Sequence, residues 1–114
     1  MPRNETGLVR EIVRAVRAAH PDAWCFKVHG SPTQTIGTPD LLICVEGLLI
    51  AAEVKHQKPG ESREHALSRA TEVQLAQIEV LRRAGATAGV VLSAEETLAL
   101  IDLALRDEGH SPGS

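Results

Sequence analysis

The stretch Gly37–Lys55, GTPDLLICVEGLLIAAEVK, is the part of the sequence that decides the fold. Two apolar runs, Leu41–Val45 and Leu48–Ala52, flank the dipeptide formed by Glu46 and Gly47. Runs rich in Leu, Ile and Val on either side of a two-residue turn that contains glycine are typical of an antiparallel hairpin. The stretch therefore predicts two paired strands in the interior of the protein.

Charged residues stand at the open end of this predicted hairpin. Counting back from the turn places Asp40 opposite Glu53, and the two-residue period of a strand puts Lys55 on the same face as Glu53. Like charges directly opposite one another are destabilising. A divalent cation such as Mg²⁺ or Mn²⁺ would explain two facing carboxylates, because it prefers such oxygen ligands. An ordinary salt bridge of Lys55 with Glu53 or Asp40 explains the charges equally well, so the residues alone leave both explanations open.

The same residues form a known pattern. Gly37-x-Pro39-Asp40, a spacer of twelve residues and then Glu53-Val54-Lys55 resemble the PD-(D/E)xK nuclease superfamily. Within it the sequence is most similar to the VRR-NUC family, whose members look like Holliday junction resolvases and small phage nucleases. The resemblance implies an α/β, restriction-endonuclease-like fold with an αβββαβ core, in which helices flank a mixed central sheet.

The order of the predicted elements agrees with that core. They run helix, strand, two-strand hairpin, helix, strand and helix. The three predicted helices span 5–19, 71–84 and 93–106, and the two predicted strands outside the hairpin span 23–29 and 86–92. Asn4, Thr71 and Ser93 are the predicted N-caps. We expect one nuclease-like domain over 1–106, a disordered tail over 107–114, and a polar flap without regular structure over 56–69.

Composition restricts the classes of partner. The net charge of −3 argues mildly against a nucleic-acid-binding protein, because such domains are often basic. Trp24 and Phe26 are the only aromatic residues, which makes a base-stacking platform of the RRM or OB type unexpected. Contacts to nucleic acid would then have to run through phosphates. No apolar run approaches the roughly 18 residues of a membrane span, and we expect a cytoplasmic protein of a bacterial or phage-infected cell.

The family resemblance assigns roles to particular residues. Asp40 and Glu53 would bind Mg²⁺ or Mn²⁺ together with the Val54 carbonyl, and Lys55 would orient water or stabilise the phosphate. Gln74 would position Lys55 or the scissile phosphate, although a capping box with Thr71 explains Gln74 as well. Glu5 would complete the metal shell, with Glu11 as the other candidate.

Glu5 also has an ordinary explanation. In a helix of 100° per residue it falls on the apolar face formed by Leu8, Val9, Ile12, Val13 and Val16. A carboxylate in the first turn of a helix is favourable against the helix dipole and needs no further role.

Candidate nucleic-acid contacts are basic residues outside this cluster. Lys27 and His29 project together from the predicted first strand, Arg10 and Arg14 belong to an arginine stripe on the first helix, and Lys58 lies in the flap. A homodimer would combine two such surfaces into one basic cleft.

We therefore expect a metal-dependent endonuclease acting on DNA, structure-specific for a Holliday junction or branched DNA. Three alternatives remain open. They are a nuclease of the same fold with another substrate, a non-catalytic nucleic-acid-binding module, and a structural subunit in which the charged cluster is only a salt bridge.

Overall fold

A computed structural model describes residues 5–29 and 37–109. The elements in chain order are α1 (Glu5–Ala19), β1 (Trp24–Lys27), β2 (Leu41–Val45), β3 (Leu48–Val54), α2 (Arg63–Leu67), α3 (Glu72–Arg83), β4 (Thr87–Val91) and α4 (Ala94–Gly109). Apart from α2, this is the predicted order of helices and strands.

The hairpin of β2 and β3 forms with the predicted turn and register. Glu46 and Gly47 both have positive φ, 51° and 81°, which is the left-handed backbone that a two-residue hairpin loop requires. Val45 pairs with Leu48, and the ladder continues to the pair of Leu41 and Ala52. The next position along the same register brings Asp40 opposite Glu53.

The four strands form one sheet in the order β1-β2-β3-β4. β1 pairs with β2 and β2 with β3 in antiparallel fashion, whereas β3 and β4 are parallel. Parallel strands need a crossover connection, and α2 and α3 provide it. The fold is therefore α/β with a mixed four-stranded sheet flanked by helices, as the sequence predicted.

Alternate residues of the hairpin face two different environments. One face of the sheet packs with α1 and α4 in the main core, which includes Leu41, Ile43 and Ile50. The other face is covered over β3 and β4 by α3, where Ala51 and Ala88 pack against Ile78 of α3. Asp40 and Glu53 belong to this second face, because they alternate along their strands with core-facing residues.

Three boundaries differ from the sequence prediction. α2 lies within the segment predicted as an irregular flap; it begins at N-cap Ser62, whose side chain accepts a hydrogen bond from the His65 N–H at 3.1 Å. α4 extends to Gly109, three residues into the segment predicted to be disordered. β1 is shorter than predicted and ends at Lys27. The predicted N-cap Asn4 lies outside the described residues.

Over the described residues, every helix is too short or too polar to cross a lipid bilayer.

Candidate active site

The end of β3 and the residue before β2 bring two carboxyl groups together. Oδ2 of Asp40 accepts a hydrogen bond from the backbone N–H of Val54 at 2.9 Å. This bond holds the Asp40 side chain across the hairpin, next to Glu53. The predicted pairing of the two acids is therefore present in the fold.

Glu53 is a buried acid with only part of its carboxyl group satisfied. Its side chain is 1% exposed, and Lys55 Nζ lies 3.4 Å from its Oε2. Oε1 is buried and has no hydrogen-bond partner within the described chain. A buried polar atom without a partner is costly and rare in folded proteins, so this oxygen calls for a ligand.

The environment raises the pKa of Glu53 to about 8. Burial is the largest cause, because it disfavours the charged carboxylate. The negative charge of the neighbouring Asp40 raises the pKa further, while Lys55 lowers it. A single lysine thus only partly compensates the pair of acids, which argues against an ordinary salt bridge as the whole explanation of the cluster.

The donor chemistry of this pair suits Mg²⁺ or Mn²⁺. Such ions are bound through one or two carboxylates and keep several water ligands. Asp40 and Glu53 supply two carboxyl groups, and Oε1 of Glu53 is a buried oxygen without another partner. The residues at the site therefore fit the metal that the sequence pattern implied.

Glu5 and Glu11 stand apart from this pair. Both are exposed on α1, which packs against the opposite face of the sheet from Asp40 and Glu53. Within 5–29 and 37–109, no group of three or more acids, histidines or cysteines lies close enough to hold a metal. Glu5 is in the first turn, before the buried part of the helix begins at Leu8.

Gly37 fixes how the Pro39-Asp40 segment approaches α3. Its φ is +87°, and a Cβ atom at this position would lie 2.7 Å from Cγ1 and 2.8 Å from the carbonyl oxygen of Val73. Val73 is in the first turn of α3, so the absence of a side chain at Gly37 allows the chain to pass directly against this helix end. The glycine of the sequence pattern therefore has a structural role next to the acids.

Gln74 lies in the same helical turn and forms the predicted capping box. Its Oε1 accepts from the Thr71 N–H at 2.9 Å, and its own N–H donates to Thr71 Oγ1 at 3.1 Å. The box uses the side-chain oxygen of Gln74. Capping thus explains this residue structurally, whatever it does toward a substrate.

The candidate nucleic-acid contacts are dispersed. Arg10 and Arg14 are exposed on α1, on the sheet face opposite the acids. Lys27 is half-buried. It pairs with Leu41, a residue of the main core, and therefore lies on the main-core face of the sheet. His29 is exposed just after β1. Lys58 is exposed in the loop that follows Lys55.

Sequence reasoning missed the residue that organises the segment after Lys55. Glu61 accepts from the Lys58 N–H at 2.9 Å, forms an ion pair with Arg69, and lies 3.2 Å from Nδ1 of His65. Arg69 also donates to the His56 carbonyl. Arg69 is the main cause of a lowered pKa for Glu61. These contacts give the segment a defined conformation, and the Ser62 cap was the signal that would have indicated it.

Comparison with solved structures identifies the architecture. The chain matches a structure described as a VRR_NUC domain with a TM-score of 0.57 and 22% identity, over 83% of this chain and 94% of the other. It also matches Hjc, a Holliday junction resolvase from the hyperthermophilic archaeon Archaeoglobus fulgidus, with a TM-score of 0.55 and 20% identity, over 77% of this chain and 67% of the other.

The sequence alone finds no such relatives, since no protein-family model and no curated protein matches it. The likeness is therefore one of fold. The chain shares its fold with the structure described as a VRR_NUC domain and with the Holliday junction resolvase Hjc.

Proposed function

We propose that this protein is a Mg²⁺- or Mn²⁺-dependent endonuclease that hydrolyses phosphodiester bonds in DNA, with branched DNA such as a Holliday junction as its substrate. The observation that carries the proposal is the buried Oε1 of Glu53, which has no partner within the described chain and lies beside Asp40. The nuclease-like fold supports it.

The chemistry is divided between the metal and the side chains. A bound Mg²⁺ or Mn²⁺ would lower the pKa of a coordinated water and neutralise charge that develops on the phosphate. Asp40 and Glu53 would hold the ion, with the Val54 carbonyl as a further proposed ligand. Ion binding would favour the carboxylate form of Glu53, because a nearby positive charge opposes the effect of burial on its pKa.

Lys55 is the proposed partner of the reacting phosphate. Its ammonium group is 3.4 Å from Glu53 and its side chain is 12% exposed, so it is held beside the acids and still reaches the surface. There it would orient the attacking water or stabilise the negative charge of the transition state. Gln74, in the helical turn that Gly37 contacts, would position Lys55 or the phosphate.

Binding of the remaining DNA is proposed to use the dispersed cations Arg10, Arg14, Lys27, His29 and Lys58. Because the chain carries a net charge of −3, one copy offers a limited basic surface. A homodimer would place two sites and two sets of cations on one branched substrate.

The test is cleavage of a labelled panel of duplex, single-stranded, flap and four-way-junction DNA with Mn²⁺ or with EDTA. We expect cleavage in Mn²⁺ that EDTA, Asp40→Asn and Lys55→Ala each abolish. Asp102→Asn removes the same type of charge from an exposed position on α4 and is expected to cleave normally.

Two outcomes would contradict the proposal. Cleavage that survives both site substitutions would assign the activity to another site or to a contaminant. Absence of cleavage, together with no Mn²⁺-dependent rise in the melting temperature of the wild type, would leave the fold as a binding or structural module.

A further inference from the structure

The two aromatic residues of the chain form an exposed pair on the sheet. The rings of Trp24 and Phe26 are parallel within 2°, with centroids 5.6 Å apart. Trp24 is 55% exposed and Phe26 45% exposed, although both belong to a strand of the central sheet. Large aromatic side chains usually bury most of their surface, so an exposed parallel pair requires an explanation.

The pair lies on the same face of the sheet as the carboxyl groups. Trp24 pairs with Cys44 and Phe26 with Leu42, and the Val28 N–H donates to the Asp40 carbonyl at 2.8 Å, which continues the same register. Phe26 is therefore one strand and two residues from Asp40. Sheet spacings make that about 8 Å between Cα atoms, a distance that one or two nucleotides span.

Among the described residues, the helix on this face is α3, which packs on Ala51 of β3 and Ala88 of β4. The exposed large apolar side chains of this face of the sheet are the two rings on β1 and Leu49 on β3, which is 39% exposed. The rings are therefore accessible on the face that carries the carboxyl pair.

Charge on this face favours an anionic chain only toward the carboxyl pair. Lys55 lies there, with its Nζ 3.4 Å from Oε2 of Glu53, whereas Lys27 belongs to the opposite, main-core face. The exposed acids Asp22 and Glu46 stand at the other end, beyond Trp24. A phosphate backbone is therefore favoured on the side of Lys55 and disfavoured past Trp24.

We infer that Trp24 and Phe26 form a stacking platform for unpaired bases next to the scissile phosphate. Aromatic faces bind every base, whereas bases within a continuous duplex are already stacked and cannot reach the platform. The substrate class is then DNA with unpaired nucleotides beside the cleavage position, such as a flap or an opened branch point. This inference rests on the proposed function and deepens it.

The single tryptophan of the chain gives a direct signal. In EDTA, a fluorescein-labelled decathymidylate and a labelled continuous duplex of equal length would each be titrated with the protein, and binding would be measured by the anisotropy of the label. In a second titration, unlabelled DNA would be added to the protein and Trp24 emission would be measured. Wild type is expected to bind the single strand more tightly and to show quenched Trp24 emission. Phe26→Leu is expected to weaken single-strand binding by roughly 5- to 150-fold and to leave duplex binding unchanged.

Leu49→Ala is the matched control, because it removes exposed apolar surface from the same face without removing a ring. Equal loss of single-strand binding in Phe26→Leu and Leu49→Ala would overturn the stacking proposal. It would also be overturned if the wild type bound the single strand without quenching of Trp24 emission, or bound neither DNA. A blue shift of Trp24 emission with protein concentration alone would overturn it too, because a second copy would then cover the rings.

Cleavage assays separate the two proposals. If Phe26→Leu retains Mn²⁺-dependent cleavage with an unchanged preference between flap and duplex, the stacking proposal is wrong and the proposed nuclease activity is supported. If quenching occurs but Mn²⁺ never supports cleavage, the platform stands as part of a binding module.

Discussion

The backbone N–H of Val54 donates to Oδ2 of Asp40 at 2.9 Å, so the end of β3 holds the acid that precedes β2. This single hydrogen bond aligns the Asp40 carboxyl with Glu53, whose Oε1 has no partner in the described part of the chain. The same bond makes Asp40 a structural residue as well as a proposed metal ligand, and the two roles are separable.

Substitution of Asp40 by two different residues separates them. Asp40→Asn keeps an oxygen that accepts from Val54, whereas Asp40→Ala leaves that buried N–H without a partner. We expect Asp40→Ala to be about 1–3 kcal/mol less stable than Asp40→Asn in urea unfolding. Loss of the charge next to Glu53 is common to both variants and cancels in the comparison. Equal stabilities would show that the hydrogen bond contributes nothing.

The stability of the metal-free protein is expected to depend on pH through Glu53. The folded protein holds this proton up to about pH 8, while an unfolded glutamate loses it near 4.5. The folded state therefore binds more protons between these values, and the free energy of unfolding falls as the pH rises through this window. The stabilisation by the Glu53 proton is present in full below about pH 4.5. Above that pH, the free energy of unfolding falls by at most about 1.4 kcal/mol per pH unit.

Urea unfolding in EDTA at several pH values measures this slope. Glu53→Gln removes the titrating group and should remove most of the slope, whereas Glu95→Gln, at an exposed position of α4, should keep it. Mn²⁺ at pH 8 should restore stability to the wild type but not to Glu53→Gln. A slope unaffected by Glu53→Gln would contradict the raised pKa.

Gly37 is expected to be more sensitive to substitution than another glycine with the same backbone. Gly37 and Gly60 both have positive φ, +87° and +81°, but a Cβ atom would meet Val73 at Gly37 and nothing within 4 Å at Gly60. Gly60→Ala should cost about 1 kcal/mol from the backbone alone. Gly37→Ala should cost about 2 kcal/mol or more, because the chain must also move away from α3. Thermal unfolding of both variants tests this, and equal costs would mean that the contact with Val73 is loose.

Gln74 can be tested for a role beyond its capping box. Glutamate is accepted at the same position of such a box, so Gln74→Glu should keep the stability of the wild type. Gln74→Ala should lose about 0.5–1.5 kcal/mol. If Gln74 positions Lys55 or phosphate, both variants should cleave more slowly in Mn²⁺, by tenfold or more in kcat. If only Gln74→Ala loses activity, and in proportion to its lost stability, the glutamine is structural.

The hairpin shows why much of this protein is predictable from its sequence. Glu46 and Gly47 specify the turn locally, and the turn fixes the register that brings Asp40 opposite Glu53. The caps Thr71 and Ser62 work through neighbours three residues away. The first of these was predicted from its capping box, whereas the second was overlooked because the segment after Lys55 lacks a clear apolar period. Its order comes from Glu61 and Arg69, which are eight residues apart.

The sequence by itself determined the order of the strands and main helices and the register of the two acids, because local turn and cap chemistry and the two-residue period of strands set these features. Tertiary structure alone decided which side of the sheet each element covers. It placed Glu5 and the arginines of α1 opposite the carboxyl pair, and left Trp24 and Phe26 uncovered beside it. The physical reason is that burial depends on which helix packs on which face, a property of the whole fold that no single segment encodes.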